Sequence, residues 1–317
     1  MTTASLLEAG LLTTVQDLGR HGHLRYGIPA SGPVDRQAFI LANRLVGNPD
    51  TAAGLECTLM GPTLQVMEES VVAVTGADMP VTVNGLEFPR WAAIRVRAGD
   101  VVKLGPSRSG MRAYLALAGG VDLPLVLGSR STYLRGRLGG YQGRQLQRGD
   151  LLSAGSPSAE PHRLEGRAVR PEAIPDYGDG VEARVILGPQ HDRFTPEGIR
   201  TFLQGPYEMT HQSDRMGARL RGPVITHTRG HDIISDGVPL GGVQVAGDGQ
   251  PIVLLVDRQS TGGYTKIATV CSFDVGRVGQ VRPGRRLRFR QISVGEAHAI
   301  IMAERARLDA AVSVLDR

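Results

Sequence analysis

The chain has 317 residues, 41% of them hydrophobic. At that length this is enough to bury the cores of about two domains and excludes a disordered protein. Its 42 Gly and 19 Pro, without a collagen period, exclude a helical bundle and fit short strands joined by tight turns. The formal charge of +5 arises from 36 basic and 31 acidic residues, yet Lys103 and Lys266 are the only lysines; such a skew reads as coding bias rather than as a nucleic-acid surface.

The start, Met1 to Ser5, lacks a basic region followed by an apolar core, so no signal peptide is expected. The longest apolar runs, such as 252–256, are too short to span a bilayer. A cytoplasmic protein without a membrane partner is expected. Asp35 caps a predicted helix over 36–46, whose Ala38, Leu41, Ala42 and Leu45 share one face and which Gly47-Asn48-Pro49 stops. Strands are predicted at 70–75, 80–83, 94–97, 101–104 and 111–118, with Asn84-Gly85 as a hairpin turn and a further turn at 98–100. Pro157, Pro161, Pro171 and Pro175 mark a linker. The expected organisation is an N-terminal domain over 1–160, a linker over 161–180 and a C-terminal domain over 181–317 that ends in a helix over 294–309. Residues 59–64 echo 220–225, and 97–104 echo 282–289, which makes two similar β domains plausible.

Cys57 and Cys271 lie too far apart for a metal-ligand spacing or a disulfide framework, and no metal site is expected. There is no Gly-Lys pair, hence no P-loop, no Gly-x-Ser-x-Gly elbow, and no Met-Lys pair, so biotin is not carried by this chain. His227 and His231 have the spacing of a helical metal pair, but Gly230 and two threonines favour a turn with surface histidines; His21 and His23 read the same way.

The segment 257–266, Asp-Arg-Gln-Ser-Thr-Gly-Gly-Tyr-Thr-Lys, follows an apolar strand and reads as a turn rich in backbone N–H groups, hydroxyls and charge. A lysine kept at 266 in a chain that otherwise uses Arg points to a role for a compact charge. Ser213-Asp214-Arg215 is a second polar cluster. Residues 128–132, with Arg130 and the later Arg135, Arg137, Arg144 and Arg148, read either as an anion grip or as a surface loop. Arg286, Arg288 and Arg290 alternate with Leu287 and Phe289, as in a strand with one buried and one solvated face. With aromatics at 4%, base stacking is unsupported and no nucleic-acid partner is expected.

Taken in order, these segments resemble a known family. They are Thr14 to Arg20, Gly27 to Asp35, Ala42 to Asn48, Gly76 to Asp78, Gly119 to Asp122, Leu127 to Thr132, Gly188 to Asp192, Ser213 to Gly217, Ile234 to Val238, Asp257 to Tyr264 and Arg282 to Gly284. The family is the carboxyltransferase-like group of KipA and the 5-oxoprolinase C-type subunit, also labelled allophanate hydrolase subunit 2, which supplies the carboxyltransferase domain of urea carboxylase. Ser260, Thr265 and Ala246 depart from it, where Thr, Pro and Pro are expected.

The resemblance implies a mainly β chain with a few helices, folded as two cyclophilin-like β-barrel domains. It implies membership of a complex for ATP-dependent opening of 5-oxoproline to glutamate, where the chain works with a KipI-like B-type 5-oxoprolinase subunit and a third, A-type one. Which of them binds ATP is left open. The alternatives are a biotin-dependent carboxyltransferase component acting on urea or a similar amide, and a KipA-like regulator that binds a KipI-like kinase inhibitor. Lys266, Tyr264, Asp257 and Arg215 are the expected catalytic residues. Asp35, Arg130, Ser213, Asp214, Gln244, Arg258, Thr261, Gly262 and Gly263 are the expected substrate-binding residues.

Overall fold

The structure, a computed structural model, describes residues 2–178 and 180–314. Over these residues the chain is mainly β with five helices, and its contacts divide it into two units. One runs to His21, resumes over Ser31–Asp176 and takes in the chain from Ala306 onward; the other holds Gly22–Ala30 and Tyr177–Arg305.

The first unit contains β1 (Thr2–Glu8), β2 (Leu12–Gln16), α1 (Arg36–Leu45), β3 (Gly54–Thr58), β4 (Thr63–Val66), β5 (Ser70–Gly76), β6 (Val81–Val83), β7 (Leu86–Phe88), β8 (Ala93–Val96), β9 (Val101–Leu104), β10 (Arg112–Leu117) and β11 (Leu151–Ser153). Two antiparallel sheets form, ordered β11-β1-β4-β9-β6-β7 and β2-β3-β10-β5-β8. They share one core, to which Leu6, Leu64 and Val102 come from the first sheet and Leu55, Val72 and Leu115 from the second. Every residue of β5 and β10 is buried. The alternating face that would meet water is covered by α1, which packs on both strands.

Helix α1 begins where Asp35 Oδ1 accepts the Ala38 N–H at 3.1 Å. Asn84 and Gly85 have φ of 52° and 84°, the left-handed pair of a tight hairpin between β6 and β7. The turn at 98–100 does not make a hairpin: β8 pairs with β5 and β9 with β4 and β6, so it carries the chain between sheets. Residues 161–180 hold α2 (Pro161–Leu164) and β12 (Arg167–Val169).

The second unit contains β13 (Gly180–Leu187), α3 (Pro196–Gln204), β14 (Tyr207–Met209), β15 (Gly217–Arg221), β16 (Asp232–Gly237), β17 (Gly242–Val245), β18 (Pro251–Leu254), β19 (Thr261–Val270), α4 (Ser272–Gln280) and β20 (Arg286–Gln291). The order β13-β20-β14-β15-β18-β17-β19 closes on itself because β13 also pairs with β19, giving a seven-stranded barrel. Strand β16 lies outside that ring and pairs with β19. In β20, Leu287 and Phe289 are buried and the arginines exposed, as their alternation requires.

Two helices here escaped the sequence reading. Thr195 Oγ1 caps α3 by accepting the Gly198 N–H at 2.9 Å, with Pro196 at the first helical position. Phe202 of that helix stacks on Phe289 at 4.4 Å between ring centres. Asp274 of α4 is fully buried and takes Nε and Nη2 of Arg184, each at 2.7 Å. Helix α5 (Val294–Asp309) occupies the predicted span, and β21 (Val312–Val314) then pairs with β12 in the first unit. No described helix is long and apolar enough to cross a membrane.

Candidate functional site

In the barrel, β17 and β19 pair so that Gln244 lies opposite Lys266. The Lys266 side chain is 2% exposed, and its Nζ donates to Asp236 Oδ2 at 3.1 Å. Asp236 sits on β16, and its own side chain is 57% exposed. An ammonium carries three donors, so a buried Lys266 engaged by one outer carboxylate keeps hydrogen-bonding capacity for a ligand. The bond to Lys266, helped by the Gly237 N–H, holds the Asp236 carboxyl below its ordinary pKa. The Lys266 backbone N–H donates to Gln190 Oε1 at 3.2 Å, which ties the strand to the 188–192 turn. Gln244 is buried, faces the Tyr264 carbonyl with its Nε2 at 3.5 Å, and accepts from Gln259 Nε2 at 3.4 Å.

Residues 261–264 are not a turn. They open strand β19, with Gly262 opposite Asp236 and Tyr264 opposite Asp232. Gly262 serves packing: a Cβ there would lie 2.6 Å from Gln244 Nε2 and 3.2 Å from Val238 Cγ2. Gly262→Ala is therefore expected to displace Gln244 and cut turnover about tenfold while the chain stays folded. Steady-state kinetics beside a melting curve check this; unchanged turnover would remove Gln244 from the site.

Arg215 and Asp257 satisfy each other. Nε and Nη2 of Arg215 reach Oδ2 and Oδ1 of Asp257 at 2.8 and 3.2 Å, with both side chains buried. Arg258 donates from Nε to the Val238 carbonyl at 2.9 Å, and burial pulls its pKa below the usual guanidinium range. Ser213 Oγ accepts the Arg219 N–H at 2.9 Å, while Asp214 Oδ1 accepts those of Met216 and Gly217 at 2.7 and 3.1 Å. Both residues thus shape the turn that presents Arg215. Thr261 and Tyr264 are exposed at the outer end of β19.

The histidines expected in a surface turn are half-buried beside this strand. His227 Nε2 lies 3.0 Å from Thr265 Oγ1, and its ring packs on Phe194 at 4.5 Å. Burial, and then the neighbouring His231, lower the His227 pKa below that of an ordinary imidazole. The His231 ring is 6.0 Å from that of Tyr264. Among the described residues no cluster of three or more His, Cys, Asp or Glu side chains could hold a metal ion. Sequence reasoning missed Asp236 and Gln190, although both lie inside segments that carried the family resemblance, and it read His227 only as a surface histidine.

Asp35 and Arg130 belong to the first unit. The Asp35 N–H donates to Tyr114 Oη at 2.7 Å, and that hydroxyl donates to Glu56 Oε2 at 2.9 Å. Burial pushes the Tyr114 phenol well above its ordinary pKa. Arg130 donates from Nη2 to Asp122 Oδ1 at 2.8 Å and from Nε to the Leu123 carbonyl at 2.6 Å. Its loop is held fast rather than loose at the surface, because Asp17 Oδ1 takes the hydroxyls of Ser129 and Ser131 at 2.6 and 2.7 Å. Buried hydroxyls need such an acceptor. Gln16, at the end of β2, ties the loop of Asp35 to that of Arg130: its Oε1 accepts the Gly32 N–H and its Nε2 donates to the Thr132 carbonyl, both at 3.2 Å.

Comparison with known proteins places this geometry. The sequence description of the carboxyltransferase domain, subdomain A and B, matches residues 26–291. The C-type 5-oxoprolinase subunit of Escherichia coli is 36% identical over 292 residues, which cover 92% of each chain. A urea amidolyase of Lachancea kluyveri is 36% identical over 97% of this chain, which spans 18% of that protein's length. The crystal structure of the K. lactis urea amidolyase superposes with a TM-score of 0.91 at 34% identity, covering 97% of this chain and 20% of the other.

Proposed function

Since the chain belongs to the carboxyltransferase domain, subdomain A and B, family, we propose that it is the C-type subunit of a 5-oxoprolinase complex, which opens 5-oxoproline to glutamate with ATP. The observation that carries this reading is the match to a 5-oxoprolinase C-type subunit across 92% of both chains, joined to a buried lysine with donors to spare. Such a chain works beside a KipI-like B-type subunit and an A-type subunit, and ATP is consumed by the assembly.

In the proposed reaction the γ-phosphoryl group of ATP passes to the lactam oxygen and ADP leaves. Water adds at the ring carbon, and the C–N bond breaks as nitrogen takes a proton. A second water then releases phosphate and leaves the new carboxylate. In the first step the lactam oxygen gives up electron density as it attacks, and negative charge gathers on the oxygens of the transferring phosphoryl group. Lys266, in a water-poor setting, is placed to stabilise it, and Asp236 gives up the ammonium as substrate takes its place. Gln244 orients the amide. Tyr264, exposed at the end of β19, exchanges the proton with the departing nitrogen. Arg215 and Asp257 act as a positioning pair that fixes the 213–217 turn against the 257–260 turn.

The expected result is ADP release by the chain co-purified with its partner subunits, stimulated severalfold or more by 5-oxoproline. The second reading, carboxyl transfer to urea or a similar amide, is favoured by the superposition on urea amidolyase. Stimulation by urea and bicarbonate with a biotinylated carrier, in place of 5-oxoproline, would select it.

A further inference from the structure

Lys266 can meet a substrate only if something moves, because its side chain is 2% exposed. The elements around it are not equally firm. Gln244 comes from β17, every residue of which is buried. Asp236 comes from β16, which lies outside the barrel ring and pairs with β19 alone. No residue of β16 is buried, and Ile234 is 94% exposed.

The pairing of β16 is also broken. Asp232 lies opposite Tyr264 and Asp236 opposite Gly262, so residues 233–235 face Gly263 alone. Such a bulge leaves backbone groups unpaired and bends the strand. The glycines at either end have room: a Cβ at Gly230 or at Gly237 would meet nothing within 4 Å. Firm anchors lie just outside. The His231 carbonyl accepts the Thr265 N–H at 3.0 Å, and the N–H of buried Val238 donates to the Ser260 carbonyl at 3.1 Å. Between these anchors, the bond from Lys266 Nζ to Asp236 Oδ2 ties the segment to the lysine. An ion pair with one partner 57% exposed is cheap to break. Sparse burial and irregular pairing mark a segment that opens well before the barrel unfolds.

We infer that β16 is a gate over Lys266 with Asp236 as its latch. The segment swings out, an incoming oxygen replaces Asp236 Oδ2 on the ammonium, and the latch closes again once the site empties. The ammonium is thus never left buried and unpaired. The inference rests on the proposed function only in taking Lys266 as the group that the substrate meets.

Lys103 and Lys266 are the only lysines, so in Lys103→Arg one lysine reports access, through reductive methylation by formaldehyde read by mass spectrometry. A Cβ at Gly263 would lie 3.8 Å from Ser235 Oγ, so Ser235→Cys with Gly263→Cys places two thiols within reach of a disulfide that pins the middle of β16 to β19. The native Cys57 and Cys271 are buried. In the full chain carrying these three substitutions, Lys266 should be methylated about tenfold or more slowly with the disulfide formed than with it reduced. Equal rates, or a lysine inert in both forms, would overturn the gate. Hydrogen exchange in the wild-type chain answers independently. The amides of 232–237 should exchange about a hundredfold faster than those of β17, and severalfold faster still in Asp236→Asn. Protection equal to that of β17 would overturn the gate. In the assembled complex, ADP release stimulated by 5-oxoproline should vanish on oxidation of the cysteine pair and return on reduction; activity indifferent to the disulfide would also overturn it. A wild-type complex inert toward 5-oxoproline counts against the proposed function alone, since methylation and exchange need no substrate.

Discussion

Lys266→Met is expected to lower turnover by the assembled complex about 10²–10³-fold, the usual cost of removing one preorganised donor from the charge that develops in a transition state. Methionine keeps most of the apolar stem that the 2%-exposed side chain buries. Asp236 is left without its partner, but it is exposed enough to be rehydrated, so the melting temperature should stay within about 2 °C of wild type. The loss would then be chemical and not structural. Lys266→Arg should fare little better, since a planar, delocalised guanidinium does not reproduce the compact point charge of an ammonium. Full activity in Lys266→Met, or a loss that merely follows unfolding, would contradict the role given to this residue.

Arg215→Met is the substitution with the largest expected effect on stability. It leaves the Asp257 carboxylate, 6% exposed, without its bidentate partner, which costs about 3–5 kcal/mol. At roughly 2–4 °C per kcal/mol for a chain of this size, the melting temperature should fall by about 10 °C. Combining it with Asp257→Leu removes the stranded charge and should recover most of the loss. Thermal unfolding of the two variants checks both statements. An unchanged melting temperature in Arg215→Met would show that the pair does not hold the two turns together.

What could be read from the sequence was what is written locally. Helix α1, its Asp35 cap, the Asn84-Gly85 hairpin and the alternating β20 each carry their signal within a few residues. Helix α3 has a cap signal too, in Thr195-Pro196-Glu197, but the nine residues of the helix are too few for an apolar period to stand out. The closure of the barrel was not legible, because it needs β13 to pair with both β19 and β20, Val185 meeting Val270 and Gly180 meeting Arg286, each far away along the chain. Two glycines at 262 and 263 suggested a turn, when at least one is there to admit the Gln244 side chain. Lys266 stood out by its rarity, but its counter-charge Asp236 is thirty residues away on another strand. In the first unit, residues 128–132 read either as an anion grip or as a surface loop, when Ser129 and Ser131 are both buried on Asp17.

The most direct test of the account is the glutamate formed from 5-oxoproline and ATP by the purified complex, measured with this chain present, absent, and replaced by its Lys266→Met form. Glutamate should appear in step with ADP only when the wild-type chain is present. Glutamate formed equally well without the chain, or with Lys266→Met, would contradict the claim that this subunit carries part of the ring-opening chemistry.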